Sequence, residues 1–389
     1  MSGVIAGYRY RLRVNPRQAR QLQAVFDVDR FVWNMALGRW GDLWKHELEE
    51  YSTTDMCREL TDWRGRFEWL GEQPCGPQQQ AIRDLGKAIA AYRDKTNPAR
   101  RPRFKKKGRC TSARWTAKVF SLAGGRLNVG VAGGRIPLRV VWSRPLPSVP
   151  RSVTVYRDTA GRWWATFVVV IQAEVLPASG RSTGIDVGLN TYATTEFADS
   201  DVANPRFTKR SAKALARSQR NLARKAKGSK NRTKAKAINA RAHSRVAAQR
   251  EDFIHKQSRV LARSFDRIGV EALPIENMKR NRYMARAISD AAWGKFLLAL
   301  DWQARKVGRP VVRIKAADTT QVCSGCGTKA KVHLGFADRI FDCTECGLVL
   351  CRDRNAARNL NPDRLDKSVR VGQGVEGKKS SGSADPKAA

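Results

Sequence analysis

Residues 183–197, TGIDVGLNTYATTEF, read as two strands joined by a Gly-Leu-Asn turn, with Asp186 in the middle of the first apolar strand. A carboxylate is costly to bury there unless it meets a cation. The same anomaly recurs in RIGVEAL, residues 267–273, a short buried strand that carries Glu271 near its end. Downstream, Ile288, Trp293, Phe296, Leu297, Leu300, Ala304 and Val307 form one helical stripe ended by Gly308 and Pro310, and VVRIK, residues 311–315, is another strand. Strands and helices alternating around one core predict an α/β layer architecture. A third acid, Asp353, lies in CRDRNAARNL, residues 351–360, whose Ala-rich run reads as a helix.

Taken singly, each acid reads equally well as a salt-bridged core residue in a chain this rich in Arg. Taken together, two strand-borne acids and a helix-borne third suit a divalent-metal site, since hard Mg²⁺ or Mn²⁺ prefers carboxylate oxygens. Two such ions about 3.5–4 Å apart can activate a water and stabilise the leaving oxygen in phosphodiester hydrolysis. Only four His are present, and none lies beside these acids in sequence.

The chain has 389 residues, with 74 Lys plus Arg against 35 Asp plus Glu, a net charge of +39. A charge of that size repels itself unless a polyanion neutralises it, which makes nucleic acid the first expectation. At 42% hydrophobic residues the chain can build cores, and two or three domains are expected. The longest apolar runs, such as Thr166 to Ile171, fall far short of the ~20 residues a spanning helix needs, and the start lacks a signal peptide's apolar run. No membrane partner is expected, and the localisation read from these features is the cytoplasm. From Val202 to Arg250 the chain holds sixteen Lys or Arg and no Asp or Glu. A solvated helix face normally mixes signs, so a run of one sign argues for phosphate contact. Gly228, Ser229 and Asn231 divide it into an antiparallel helical hairpin.

Upstream, the first ten residues alternate as a strand. Asn15 followed by Pro16 is a helix start, and helical spacing of Leu22, Val25, Phe26, Val32, Leu37, Trp40 and Leu43 opens a helical region over 14–98. NPARRPRFKKKGR, residues 97–109, is a Pro-punctuated basic loop. RLNVGV, IPLRVVW, SVTVYRD and WWATFVVVI then alternate as short strands, giving a small β-barrel or sandwich over 99–180 that the N-terminal strand joins. Residues 177–180, PASG, read as a linker.

Eight cysteines divide into two groups. Cys57, Cys75 and Cys110 are scattered and read as buried small hydrophobes. Cys323-x2-Cys326 and Cys343-x2-Cys346 are two knuckles with the spacing of a tetrahedral Zn²⁺ ribbon. Four ligands close such a site, so its role is structural; Cys351 and His333 are read as non-ligands.

The succession GIDVGLN, VEALPIENM, ISDAAWGKF, TTQVCSGCG and DRNAARNL resembles the RuvC-like nuclease of transposon-encoded TnpB proteins and of the compact type V CRISPR effectors related to them. PRFKKKGR, WSRPLP, SVTVYRDTAGRWWATFVV and the opening YRYRLRVNPRQARQL resemble the same family, so the likeness covers nearly the whole chain. It implies a multidomain α+β protein: a β-barrel wedge domain at 1–13 and 99–180, a helical recognition insertion at 14–98, and an RNase H-like (RuvC) α/β nuclease domain at 181–317 and 349–365. A zinc-ribbon target-loading element at 318–348 and a disordered tail at 366–389 complete it. The implied activity is RNA-guided DNA cleavage next to a short flanking motif, by two-metal-ion hydrolysis, with guide RNA and double-stranded target DNA as partners and a monomer or a homodimer on the RNA. Carried over by motif, Asp186, Glu271 and Asp353 are the catalytic triad and Mg²⁺ or Mn²⁺ ligands, and Cys323, Cys326, Cys343 and Cys346 hold zinc. Glu276 and Asp290 are left outside catalysis, and Cys351 stands where the third motif often has a further Asp. Backbone contacts are expected from Arg103, Lys105, Lys106, Lys107, Arg220, Arg224, Lys225, Lys227, Lys230 and Arg232, and adenine contacts from Gln79 and Gln80. Two alternatives remain: an RNA-guided DNA-binding repressor that does not cut, and an RNA-independent zinc-ribbon DNA-binding accessory protein of a transposon.

Overall fold

The computed structural model describes residues 3–45, 51–108, 110–315, 319–331, 333–335 and 338–365; the tail expected at 366–389 lies outside the described residues. The chain divides into two compact units, residues 1–172 with 221–241 and residues 173–220 with 242–389.

In the first unit, alternation along β1 (Val4–Arg13) buries Ala6, Tyr10 and Leu12 and exposes Ile5, Arg9 and Arg13. The other strands are β2 (Ser112–Thr116), β3 (Phe120–Ala123), β4 (Arg126–Val131), β5 (Gly134–Val141), β6 (Ser152–Arg157) and β7 (Trp163–Ile171). They form one seven-stranded antiparallel sheet, ordered β2-β6-β7-β1-β5-β4-β3, so the first strand of the chain is central. Their inward residues, among them Trp115, Leu127, Leu138, Val155 and Phe167, share one core. No ladder joins β2 to β3 among the described residues, so the sheet is nearly closed and not a complete barrel.

Among the described residues four helices lie between β1 and β2: α1 (Pro16–Lys45), α2 (Thr53–Arg66), α3 (Glu68–Gly71) and α4 (Cys75–Arg93). A reciprocal capping box starts α1, with the Gln18 amide donating to Asn15 Oδ1 at 2.8 Å and the Asn15 amide to Gln18 Oε1 at 3.0 Å. The first turns of α1 send Leu22, Val25 and Phe26 into the sheet core, while Val32, Leu37 and Trp40 pack with Met56, Leu60 and Leu85. Cys57, Cys75 and Cys110 are half-buried, not the fully buried hydrophobes expected.

The second unit holds a five-stranded sheet of order β10-β9-β8-β11-β12: β8 (Ser182–Asp186), β9 (Thr191–Thr195), β10 (Val202–Ala203), β11 (Arg267–Glu271) and β12 (Val311–Ile314). The pairs β8·β11 and β11·β12 are parallel, and β8·β9 and β9·β10 antiparallel. Ile185, Ile268 and Val270 face one side, against Leu261, Phe265, Phe296 and Leu300. These come from α7 (Lys230–Ser264), the residue just after it, and α10 (Trp293–Lys306); α5 (Phe207–Arg210) and α6 (Ala212–Ala223) precede α7, and α8 (Ile275–Met278) and α9 (Ala285–Ala291) lie between α7 and α10. The single helix expected from Ile288 to Val307 is broken at Ala292, whose φ of 53° is left-handed; both pieces still reach the core, through Ile288 and Ala291 on one side and Trp293 and Phe296 on the other. The expected linker is pinned: Asp266 accepts the amides of Ser179 and Gly180, each at 2.8 Å, and Arg309 donates to the Pro177 carbonyl. A two-stranded ribbon, β13 (Ile340–Asp342) and β14 (Val349–Cys351), leads into α11 (Arg352–Asn359).

Candidate metal centres and nucleic-acid interface

Asp186 and Glu271 end neighbouring parallel strands in register, one step beyond the pair Ile185 and Val270. Because strand side chains alternate, Gly184 and Asp186 share the face opposite the apolar core, as do Gly269 and Glu271. A Cβ at Gly184 would collide with the Ala357 carbonyl, and one at Gly269 with the Leu360 carbonyl, so α11 lies directly on the two glycines. Two residues along a strand advance about 6.6 Å, and four residues back along a helix about 6 Å. Asp186 stands two residues after Gly184 and Asp353 four residues before Ala357, similar distances along strand and helix, and the charge of Asp353 is felt at Asp186.

Burial, reinforced by the charges of Asp353 and Glu271, pushes the Asp186 carboxyl up to about 7, against a smaller opposing effect of Arg352. Burial also raises Glu271. Asp353 is 3.5 Å from Arg352 Nη2 and 3.8 Å from Arg339 Nη1. Among the described residues only the four cysteines form a group of three or more possible ligands whose atoms all lie within 4.8 Å of one another.

The four sulfurs are gathered by two equivalent turns. Gly327 donates to the Cys323 carbonyl and Gly347 to the Cys343 carbonyl, both at 2.9 Å, with φ of 80° and 69° at the two glycines. Left-handed backbone of this kind suits glycine. Sγ atoms of Cys323 and Cys346 are 3.6 Å apart, as are those of Cys326 and Cys343. A disulfide requires about 2.05 Å, whereas Zn–S bonds of about 2.3 Å in a tetrahedron give S···S edges of about 3.8 Å. The thiols therefore fit a tetrahedral zinc. Cys351 is exposed and outside this set.

Several residues that secure these sites were not singled out in the sequence. Asn355, fully buried, accepts the Ser324 amide at 2.8 Å and donates to the Val322 carbonyl at 2.7 Å. One turn later Asn359 donates to the carbonyls of Thr319 and Val322. Asn at i and i+4 shares one helix face, and this face of α11 holds the first knuckle. Arg354 clamps α11 to the β9 end through the Thr195 carbonyl and Asp201. The readable signals were the repeated Gly-x-acid in GID and GVE and the Asn spacing in NAARN. Asp290 accepts from Thr208 and Arg250, and Glu276 pairs with Lys279 at the surface.

Three of the expected nucleic-acid contacts already have surroundings within the protein. Gln80 is buried, facing into the helical core. The Lys105 ammonium sits 3.7 Å from the Trp33 ring centroid, and burial lowers its pKa. Arg232 Nη1 donates to the Leu222 and Lys225 carbonyls, closing the helical hairpin. Arg103, Lys106, Lys107, Arg220, Arg224, Lys227 and Lys230 are exposed, and Gln79 and Lys225 half-buried.

Comparison with known proteins follows this geometry. Residues 166–282 match a family described as "Probable transposase", residues 293–360 a "Cas12f1-like, TNB domain", and residues 1–49 a "Helix-turn-helix domain"; in this chain the last segment is a strand and one long helix. A Streptomyces pristinaespiralis protein, "Putative RNA-guided DNA endonuclease", is 36% identical over 92% of this chain and 89% of its own length. Escherichia coli K12 "Putative RNA-guided DNA endonuclease InsQ" is 28% identical over 92% of this chain and 91% of its own. The fold resembles the protein of a Cas12f1-sgRNA-target DNA complex, with a TM-score of 0.58 and 13% identity over 90% of this chain and 84% of the other. The chain belongs to the TnpB family of IS605-type transposon proteins. Among the described residues no helix is long and apolar enough to cross a membrane.

Proposed function

We propose that this chain is an RNA-guided DNA endonuclease in which Asp186, Glu271 and Asp353 hold divalent cations. The observation that carries the reading is the close approach of segment 357–360 to Gly184 and Gly269, two residues before the strand acids, together with the charges of Asp353 and Glu271 felt at Asp186. The charges of Asp353 and Glu271 act against an ionised Asp186, and a hard cation relieves that repulsion. When bound, Mg²⁺ or Mn²⁺ supplies a lowered pKa for an attacking water and charge stabilisation for the leaving oxygen. Asp186 and Glu271, fixed on strands, set the floor of the site, and Asp353 closes it from the helix. Arg352 and Arg339 pair with Asp353 at 3.5 and 3.8 Å. Cys323, Cys326, Cys343 and Cys346 bind zinc structurally, which keeps the knuckle that Asn355 grips from collapsing. Guide RNA and target DNA are the partners that the charge and the relatives' names suggest.

The experiment is plasmid cleavage with copurified RNA and Mg²⁺. Asp186→Ala, Glu271→Ala and Asp353→Ala should each abolish cutting while leaving RNA binding nearly intact. Wild-type cutting by Asp186→Ala would refute the site, and cutting that needs no RNA would refute the guidance.

A further inference from the structure

The run 202–250 is not the longest acid-free stretch. Residues 95–157 contain sixteen Lys or Arg and no Asp or Glu, and residues 1–26 add five Arg with no acid. All seven strands of the nearly closed sheet are free of acids. Within it, Arg13 of β1 lies opposite Arg139 of β5, and Arg139 lies opposite Arg126 of β4. All three are exposed, and they line one cleft with Asn15, Gln18 and Pro137.

Like charges directly opposite destabilise an antiparallel pair, because the Cα atoms are only about 4.5–5.5 Å apart. Here two such pairs share one arginine, and none of the three has a carboxylate partner among the described residues. The positive end of α1 adds to them. Gln18 Nε2 donates to the Pro137 carbonyl at 2.7 Å, fixing the helix start beside Arg139, and the first turn contains no acid. No carboxylate offsets this row, so in the free protein its charge is met by water and counterions, which a polyanion would displace.

We propose that Arg13, Arg126 and Arg139 form a binding site for a phosphodiester backbone. Three planar forks in a row suit phosphate oxygens, each able to bind two at once. The inference deepens the proposed function and rests on it only for the source of the phosphates, guide RNA or target duplex.

The test uses the full chain without added divalent ions and two labelled probes of arbitrary sequence, an RNA hairpin and a 20-bp DNA duplex. Arbitrary probes read the site whether or not the chain is RNA-guided, so its failure is separable from that of the cleavage assay. Each lost phosphate contact should reduce the slope of log affinity against log salt by about 0.9 for a duplex and about 0.7 for a single strand. The triple variant R13Q/R126Q/R139Q should therefore lose about two to three in slope, and roughly tenfold or more in affinity at physiological salt, with at least one probe. The probe affected identifies the source. Unchanged slopes with both probes would overturn the site. R139Q alone, which relieves both repulsive pairs, should raise the Tm of the nucleic-acid-free protein by about 1–3 °C. A fall in Tm would mean that the row is a structural device, and would also overturn the proposal.

Discussion

Asn355 Oδ1 accepts the amide of Ser324 at 2.8 Å, so a residue two positions after Asp353 grips the loop between the cysteines of the first knuckle. The position of the helix-borne acid and that of the ribbon are thereby set together. Asn355→Ala removes a buried acceptor and donor at once, which should cost about 2–3 kcal/mol. Cutting should fall at least tenfold with zinc content unchanged. Thermal melts, metal analysis and cleavage rates on one preparation check this. Loss of zinc together with activity would show that the contact serves the ribbon alone.

Gly184 and Gly269 should not tolerate a side chain. In each case the obstructing atom is a backbone carbonyl of the segment 357–360, which cannot swing aside as a long side chain would. Gly269→Ala should destabilise the second unit by about 3 kcal/mol or more, since overpacking here must move a helix. Where the variant still folds, the displaced Asp353 should leave it inactive. A denaturant titration beside a cleavage assay gives both numbers.

Metal analysis should find one zinc per chain, and Cys343→Ser should lose it. Amide exchange should then rise across residues 319–351 while the five-stranded sheet keeps its protection. Equal loosening of β8 and β11 would mean that the ribbon supports the whole unit.

Asp290 offers a pH signature distinct from that of the acid site. Burial raises its pKa, but hydrogen bonds from Thr208 and the Arg250 guanidinium outweigh this and hold it below the ordinary carboxylate range. A depressed folded-state pKa gives stability that is fully present above about 3.9, the unfolded value, and is lost as pH falls through the folded one. Asp290→Asn should therefore be about 2–3 kcal/mol less stable than wild type at pH 7, and the gap should close as pH is lowered from about 4. Denaturant midpoints at several pH values measure it. A gap that persists at pH 2 would mean that shape, not charge, matters at this position.

Strands β8, β11 and β12, the cysteine knuckles and the N-terminal strand were legible because each has a local cause: period-two alternation, ligand spacing, turn residues. The acids were legible as anomalies in apolar strands. What α11 does was not, because its reason lies across space: Ala357 matters through Gly184, and Asn355 through Ser324. The break at Ala292 was hidden for a different reason, since an alanine gives no hint of left-handed backbone. Lys105 and Arg232 show the limit of charge runs. Basic residues in one run divide between a Trp face, carbonyl groups and open surface according to packing that composition does not encode.

The central place of β1 also bears on how the chain is made. Val4 pairs with Ile171 and Leu12 with Trp163, so β1 leaves the ribosome well before the last strand of its sheet and waits for it. At about 5–20 residues per second, that delay is roughly ten to thirty seconds. During it, α1 through α4 can assemble around Trp40, Met56 and Leu85 from contacts close in sequence, the kind that form fastest. The helical segment would then serve as a brace that folds during translation and keeps β1 beside the growing chain until β5 and β7 emerge. Synonymous changes that slow translation within residues 94–171 should increase aggregation more than the same changes after residue 180.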